Sequence, residues 1–446
     1  MKKPKNQKSL RLYVTLISVF FCVLQTQAIE VSGLLSGGTW TIEDSPVIVE
    51  DNIQLPQDAE LTIEPGVRVE FNGPYSFLIE GRLRALGDSL NRIAFSAGQP
   101  DVDSLRWRGL RFVNARRGSV LRFCDVQHGW ARGDWPENCG GGIYIEGCSP
   151  EIRRCTISDN RADHDGGGIY AMFSTSLIHN NLIVGNYAGN FGGGFFISYA
   201  EPNILNCTVA LDTALHWGGG LFVGSEGSPR INNCIVAYNE DDLEAWAGHD
   251  AGGTYFSNIA TARSSSPVVT FTCAPHPTDP YPGQGNIFQE PEFISLNPDS
   301  GYDFHLQLSS PCIDAGDPMM NPGDEPDVLI NRINMGAYGG TEEAALSVPV
   351  IYILNYDISL PLEYGSIRIN SQSTKEMTIE NHGHYRLFIY DFAFNTAAYF
   401  PDSLEVDQQL VPEYAVAPIE PGESAKYNVN FKPTELIDFQ DTLRVI

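Results

Sequence analysis

Five residues in one short stretch, Asp159, Arg161, Asp163, His164 and Asp165, carry the side chains that acidic-sugar chemistry needs. Carboxylates hold Ca²⁺, the bound cation acidifies the C5 proton of a uronate ring, and a neighbouring Arg or Lys removes that proton. In such a scheme Asp159 and Asp163 belong to the metal cluster, Arg161 is the base, and His164 or His216 assists. The residues one repeat further on, Tyr187, Asn190 and Phe191, and then Thr213, His216 and Trp217, would complete a groove. A turn between strands is exposed, however, and polar side chains are expected there without any reaction.

Two other groups invite binding rather than catalysis. Trp130 and Trp135 lie in a long turn, and Trp217 precedes a glycine triplet. Aromatic faces at turns stack on sugar rings, but they equally cap a core. The acids Asp314, Asp317, Asp324, Glu325 and Asp327 are dense enough to hold a structural Ca²⁺ or to form an unliganded acidic loop. Asp241, Asp242 and Glu244 read as solvated loop acids.

A repeat of fixed length must position these residues. The triplets starting at Gly140, Gly166, Gly192 and Gly218 are spaced 26 residues apart, each followed by an apolar or aromatic pair. Other columns keep the step: Ile152, Ile178, Ile204 and Ile231, then Cys155, Asn181, Cys207 and Cys234, then Ile157, Ile183, Val209 and Val236. Asn160, Asn186, Asp212 and Asn239 form a fourth column, and Ala162, Ala188 and Ala214 a fifth. Helical spacing is missing, and short β-prone runs alternate with Ser-Pro, Asn and Gly, so the pattern describes a parallel β-helix with coils about 4.8 Å apart. The glycines would allow sharp left-handed bends. The Asn column would pass amide hydrogen bonds from coil to coil and tolerate the left-handed corner itself.

Composition places the chain outside the cell. Lys2, Lys3, Lys5, Lys8 and Arg11 precede an apolar run, Leu12 to Leu24, and the segment ends at Ala28, as in a secretory signal. The whole chain carries 28 basic and 55 acidic residues, and loss of the signal leaves 23 basic ones, a net charge near −32. Such a surface repels nucleic acid and anionic lipid and suits divalent cations. Ca²⁺ is therefore the cofactor to expect if there is one. No later run is long enough for a membrane span. The expected location is secreted or cell-surface, with the periplasm as the alternative.

Eight cysteines remain after the signal. Cys124, Cys155, Cys207 and Cys234 belong to an interior ladder, while Cys139 and Cys148 flank one strand and are the best pair for a bridge. Without a CxxC pair, zinc is disfavoured.

Trp40-Thr41 to Ser45-Pro46, Leu61-Thr62-Ile63-Glu64-Pro65-Gly66-Val67, the Gly-Gly-Gly repeats, Ser310-Pro311-Cys312-Ile313-Asp314-Ala315-Gly316 and Met335-Gly336-Ala337-Tyr338-Gly339 together resemble bacterial right-handed parallel β-helix surface proteins. The segment Ile419-x-Pro421-Gly422-Glu423 through Tyr427, Val429, Phe431 and Pro433 resembles immunoglobulin-like domains of the abnormal-spindle-like, choice-of-anchor D group. These resemblances imply an all-β chain: signal 1–28, right-handed parallel β-helix 29–345, and an immunoglobulin-like sandwich 346–446 that would lack an edge at Ile446. The ordered motifs of polygalacturonases are not matched, because His128-Gly129 precedes Arg230-Ile231-Asn232 and Asp241-Asp242. The expectation is a non-catalytic structural, adhesive or carbohydrate-binding protein whose partner would be a polysaccharide or cell-surface glycan. The alternatives are a polysaccharide lyase or hydrolase, and a periplasmic accessory β-helix for copper-enzyme maturation.

Overall fold

The structure, a computed structural model, describes residues 28–241, 257–275, 281–298, 301–326 and 332–346, with five separate strands further on. The signal segment, Asp242, Glu244, Asp327 and most of the proposed sandwich lie outside the described residues. The chain forms two compact units, Met1–Val269 and Thr270–Ile446.

One coil shows the plan of the first unit. Strands Ile143–Glu146, Glu151–Arg153, Thr156–Ser158 and Arg161–Ala162 follow one another around corners. Each pairs in parallel with its counterpart 26 residues on: Ile143 with Ile169, Ile152 with Ile178, Ile157 with Ile183, Ala162 with Ala188. Parallel pairing without slippage stacks like on like, and the inward members Ile152, Ile157 and Ala162 are fully buried. β-branched residues fit these strands because their stiff side chains pack well on a pleated surface. Near the start of the unit, Val47–Leu55 serves two faces: Val47 to Val49 pair with Val69 to Phe71, and Ile53 to Leu55 with Phe77 to Ile79.

The asparagine column forms the expected ladder. Asn160 Nδ2 donates to Asn186 Oδ1 at 3.0 Å, and Asn239 Nδ2 donates to Asn258 Oδ1 at 3.0 Å. The corner itself is built differently from the expectation. The left-handed residues are those just before the ladder, Asp159 (φ 56°), Gly185 (φ 66°), Leu211 (φ 57°) and Tyr238 (φ 58°). The ladder side chain turns inward to satisfy backbone groups, so its own backbone does not also turn the corner. Left-handed bends do open each glycine triplet, at φ 70°, 69°, 69° and 68° for Gly140, Gly166, Gly192 and Gly218.

The cysteine column is an unbridged ladder. Cys155 N–H donates to Asn181 Oδ1 at 2.9 Å and Cys207 N–H to Cys234 Sγ at 3.4 Å. Cys139 and Cys148 are not bridged to each other, and the other described cysteines are unbridged too. Burial raises the pKa of Cys124, Cys148 and Cys234, so these thiols stay protonated and behave as small apolar groups.

In the second unit, Phe293–Ser295 and Asp303–Leu306 pair antiparallel. Further on, Ser373–Asn381 lies between Tyr356–Ile358 and Ser424–Phe431 in an antiparallel sheet, and Phe392–Phe394 pairs with Leu443–Val445. Among the described residues there is no α-helix, and no helix is long and apolar enough to cross a membrane.

Candidate functional site

Trp130, Arg161 and Tyr187 occupy one outward column on three successive coils. The Arg161 guanidinium lies 4.6 Å from the Trp130 ring centre and 4.9 Å from that of Tyr187. It also sits 3.8 Å from Asp163, whose Oδ1 accepts the Trp130 indole N–H at 2.7 Å. Two aromatic faces and a carboxylate thus surround the guanidinium. Arg132 lies 4.8 Å from the Trp130 ring as well, so guanidinium groups share that ring's surroundings.

The remaining candidates fall into separate places. Asp159 stands at the corner before Asn160, and Asp163 beyond the strand Arg161–Ala162. The polar column Asn138, His164, Asn190 and His216 is tied by backbone bonds from His164 N–H to Asn138, Asn190 N–H to His164 and His216 N–H to Asn190. His216 Nδ1 bonds to Asn190 Oδ1, and Asn190 Nδ2 donates to Asp165 Oδ1 at 2.9 Å. His164 and His216 therefore share a column but are separated by the amide of Asn190.

His164 instead meets Cys139 and Asp165. A nitrogen of His164, the Cys139 thiol and an Asp165 oxygen lie within 4.8 Å of one another. Asp165, and after it Cys139, push the His164 pKa up to about 10. Cys139 and Asp165 immediately precede successive glycine triplets, and parallel stacking makes them neighbours: Gly140 N–H bonds to the Asp165 carbonyl.

The loop bearing Cys139 is pinned by Arg111. Its Nη1 donates to the Cys139 carbonyl at 3.2 Å and Nη2 to the Pro136 carbonyl at 3.1 Å. The guanidinium lies 4.2 Å from the Tyr144 ring and 3.7 Å from Glu137. Desolvation lowers the Arg111 pKa, with Glu137 opposing.

Tyr144 opens an outward aromatic column, stacked on Tyr170 at 5.0 Å, which in turn stacks on Phe196 at 4.9 Å. Burial pushes both tyrosine hydroxyls to higher pKa. Trp217 joins this column through Phe191 and Phe222 and is only 7% exposed, the core-capping arrangement. Trp135 is 60% exposed, and Trp130 is half-buried under its guanidinium neighbours.

The acids of the second unit make backbone contacts. Asp314 N–H donates to Asn334 Oδ1, and Asp317 Oδ1 accepts from Met319 N–H. Glu325 Oε1 accepts from Asn334 and Gly340, and burial raises its pKa. Among the described residues, Asp314, Asp317 and Asp324 belong to no group of three converging ligands, and Asp327 lies outside them.

Sequence reasoning missed an exposed aromatic pair. Phe173 and Tyr199 stand on successive coils with ring centres 5.6 Å apart, 57% and 49% exposed. Both have left-handed backbones, φ 51° and 49°, at a corner filled by Asn114 and Gly147 on earlier coils. Asn and Gly tolerate that conformation, whereas a bulky residue there is strained by about 1–2 kcal/mol. Beside the rings runs a polar column of exposed Ser149, Thr175 and Glu201, with Ser149 Oγ 3.0 Å from Thr175 Oγ1. The signal was available: both aromatics lie five residues after a glycine triplet ends.

Residues 106–262 match the family model described as right handed beta helix region. No curated protein and no solved structure matches the chain. The matched stretch and the parallel solenoid give the chain the fold of a right-handed parallel β-helix over these coils.

Proposed function

We propose that this is a secreted or cell-surface protein that binds a polysaccharide without cleaving it. The observation that carries the reading is the exposed, mutually tilted pair Phe173 and Tyr199, with the hydroxyls of Ser149 and Thr175 and the carboxylate of Glu201 two residues further along each coil. Aromatic faces bind the apolar faces of pyranose rings, and adjacent oxygens take the sugar hydroxyls. Coils about 4.8 Å apart repeat on the scale of one sugar unit, so a glycan lying across them meets equivalent side chains in turn. The exposed Trp135 offers a third ring.

Affinity electrophoresis and a glycan array with the full chain test this. Retardation by at least one polysaccharide is expected. Each of Phe173→Ala and Tyr199→Ala should weaken it about three- to tenfold, as loss of one ring contact of about 0.5–1.5 kcal/mol implies. Binding by the double variant equal to that of the parent would remove the proposal, as would failure of the parent to bind any glycan.

A further inference from the structure

We propose that Cys139, His164 and Asp165 form a binding site for one transition-metal ion, with Zn²⁺ the best match. One thiolate, one imidazole and one carboxylate make up a borderline donor set that Zn²⁺ accepts and that Ca²⁺, which requires oxygen ligands, does not. The three donor atoms lie within 4.8 Å of one another. Ligands of one zinc ion, each about 2.0–2.3 Å from the metal, fit inside that limit.

The local geometry points the donors at a common position. Asp165 is buried, and its Oδ1 is engaged by Asn190 Nδ2 at 2.9 Å and Phe191 N–H at 3.1 Å. This fixes the carboxylate and leaves Oδ2 toward His164. His164 Nδ1 approaches Oδ2 to 2.9 Å, yet this buried nitrogen makes no aligned hydrogen bond. A close approach of these two groups without hydrogen-bond alignment leaves both ligand atoms facing the space a shared ion would fill. Cys139 is fully buried, which closes it to substrates as a nucleophile but not to an ion held between coils. His164 remains partly exposed, so the fourth position opens to water on that side.

The assignment stands apart from the glycan proposal, since Phe173 and Tyr199 contribute no ligand. The test is Zn²⁺ titration of the full chain by calorimetry, with metal content after dialysis. One equivalent should bind, and His164→Ala, a change at a partly exposed side chain, should reduce retained zinc to background while far-ultraviolet circular dichroism is unchanged. Asn190→Ala, which removes a support of Asp165, should weaken binding about 10–100-fold. Cobalt substitution should give a thiolate charge-transfer band that disappears in Cys139→Ser and persists in Cys148→Ser. No zinc retained by the parent, equal zinc in parent and His164→Ala, or a cobalt spectrum without a thiolate band would each overturn the site.

Discussion

Asn186 gives two hydrogen bonds to a single oxygen of Asp212, from its backbone N–H at 2.7 Å and from Nδ2 at 2.8 Å. The other oxygen, Oδ2, is buried with no hydrogen-bond partner. At the equivalent place, Asn160, Asn186 and Asn239 each donate Nδ2 to a carbonyl, those of Val126, Ile157 and Val209. Asp212 is the one ladder member in this set that cannot make that donation when ionised. Desolvation accordingly holds its carboxyl well above the usual carboxylate range.

Asp212→Asn should therefore stabilise the protein by about 1–3 kcal/mol, the cost of one unsatisfied buried polar group, by donating to the Ile183 carbonyl. Because the folded pKa is raised, the wild-type contribution is complete below the unfolded value of about 3.9 and is lost as pH rises through the folded one. Urea unfolding should show the variant's advantage growing from pH 4 to pH 8. An advantage that is flat or shrinking with pH would contradict this account.

Gly193→Ala should destabilise by about 1–3 kcal/mol or more, as overpacking does. An added methyl would be driven into the carbonyl oxygens of Gly219 and Thr213 on the neighbouring coil. Thermal unfolding of the variant against Gly133→Ala, where the nearest atom to the new methyl is 3.8 Å away in the Glu137 side chain, would separate this crowding from backbone strain, since Gly133 has a positive φ and Gly193 does not.

The eight described cysteines are buried and unbridged. A soluble thiol reagent should leave the native protein nearly untouched and modify all eight in denaturant. Rapid modification under native conditions would show that the interior ladder opens readily.

Arg111→Met should release the Cys139 loop, because the carbonyls of Cys139 and Pro136 lose their donors. Faster limited proteolysis between Arg132 and Asn138 and a shifted Trp135 fluorescence are expected. An unchanged digestion pattern would mean that the aromatic column alone retains the loop.

The fixed step made the interior legible, because a β-helix converts sequence periodicity directly into spatial neighbours. Ile152, Ile157, Asn160 and Ala162 stack where their columns placed them. Corners were harder to read. The identity of a left-handed residue is loosely constrained, as Asp159, Leu211 and Tyr238 show, so composition did not mark that column. The meeting of Cys139 with Asp165 was implicit in their positions one before successive triplets, yet a thiol and a carboxylate in one column look unrelated until a neighbouring imidazole is seen beside them. Trp217 left two readings open for a different reason: its burial depends on Phe191 and Phe222, which only the folded coils bring together.

The 27-residue step between Cys207 and Cys234 has a consequence for how such a chain can change length. Strands Phe195–Ser198 and Leu221–Val223 still keep the shorter step, so the additional residue is accommodated in the turn that holds Glu226 and Gly227, and pairing resumes at Arg230. Gene duplications or deletions of one whole winding would thus leave all registers intact, while single-codon insertions would survive only at bends. The molecule can be edited in units, and its bends are the places where the count need not come out even.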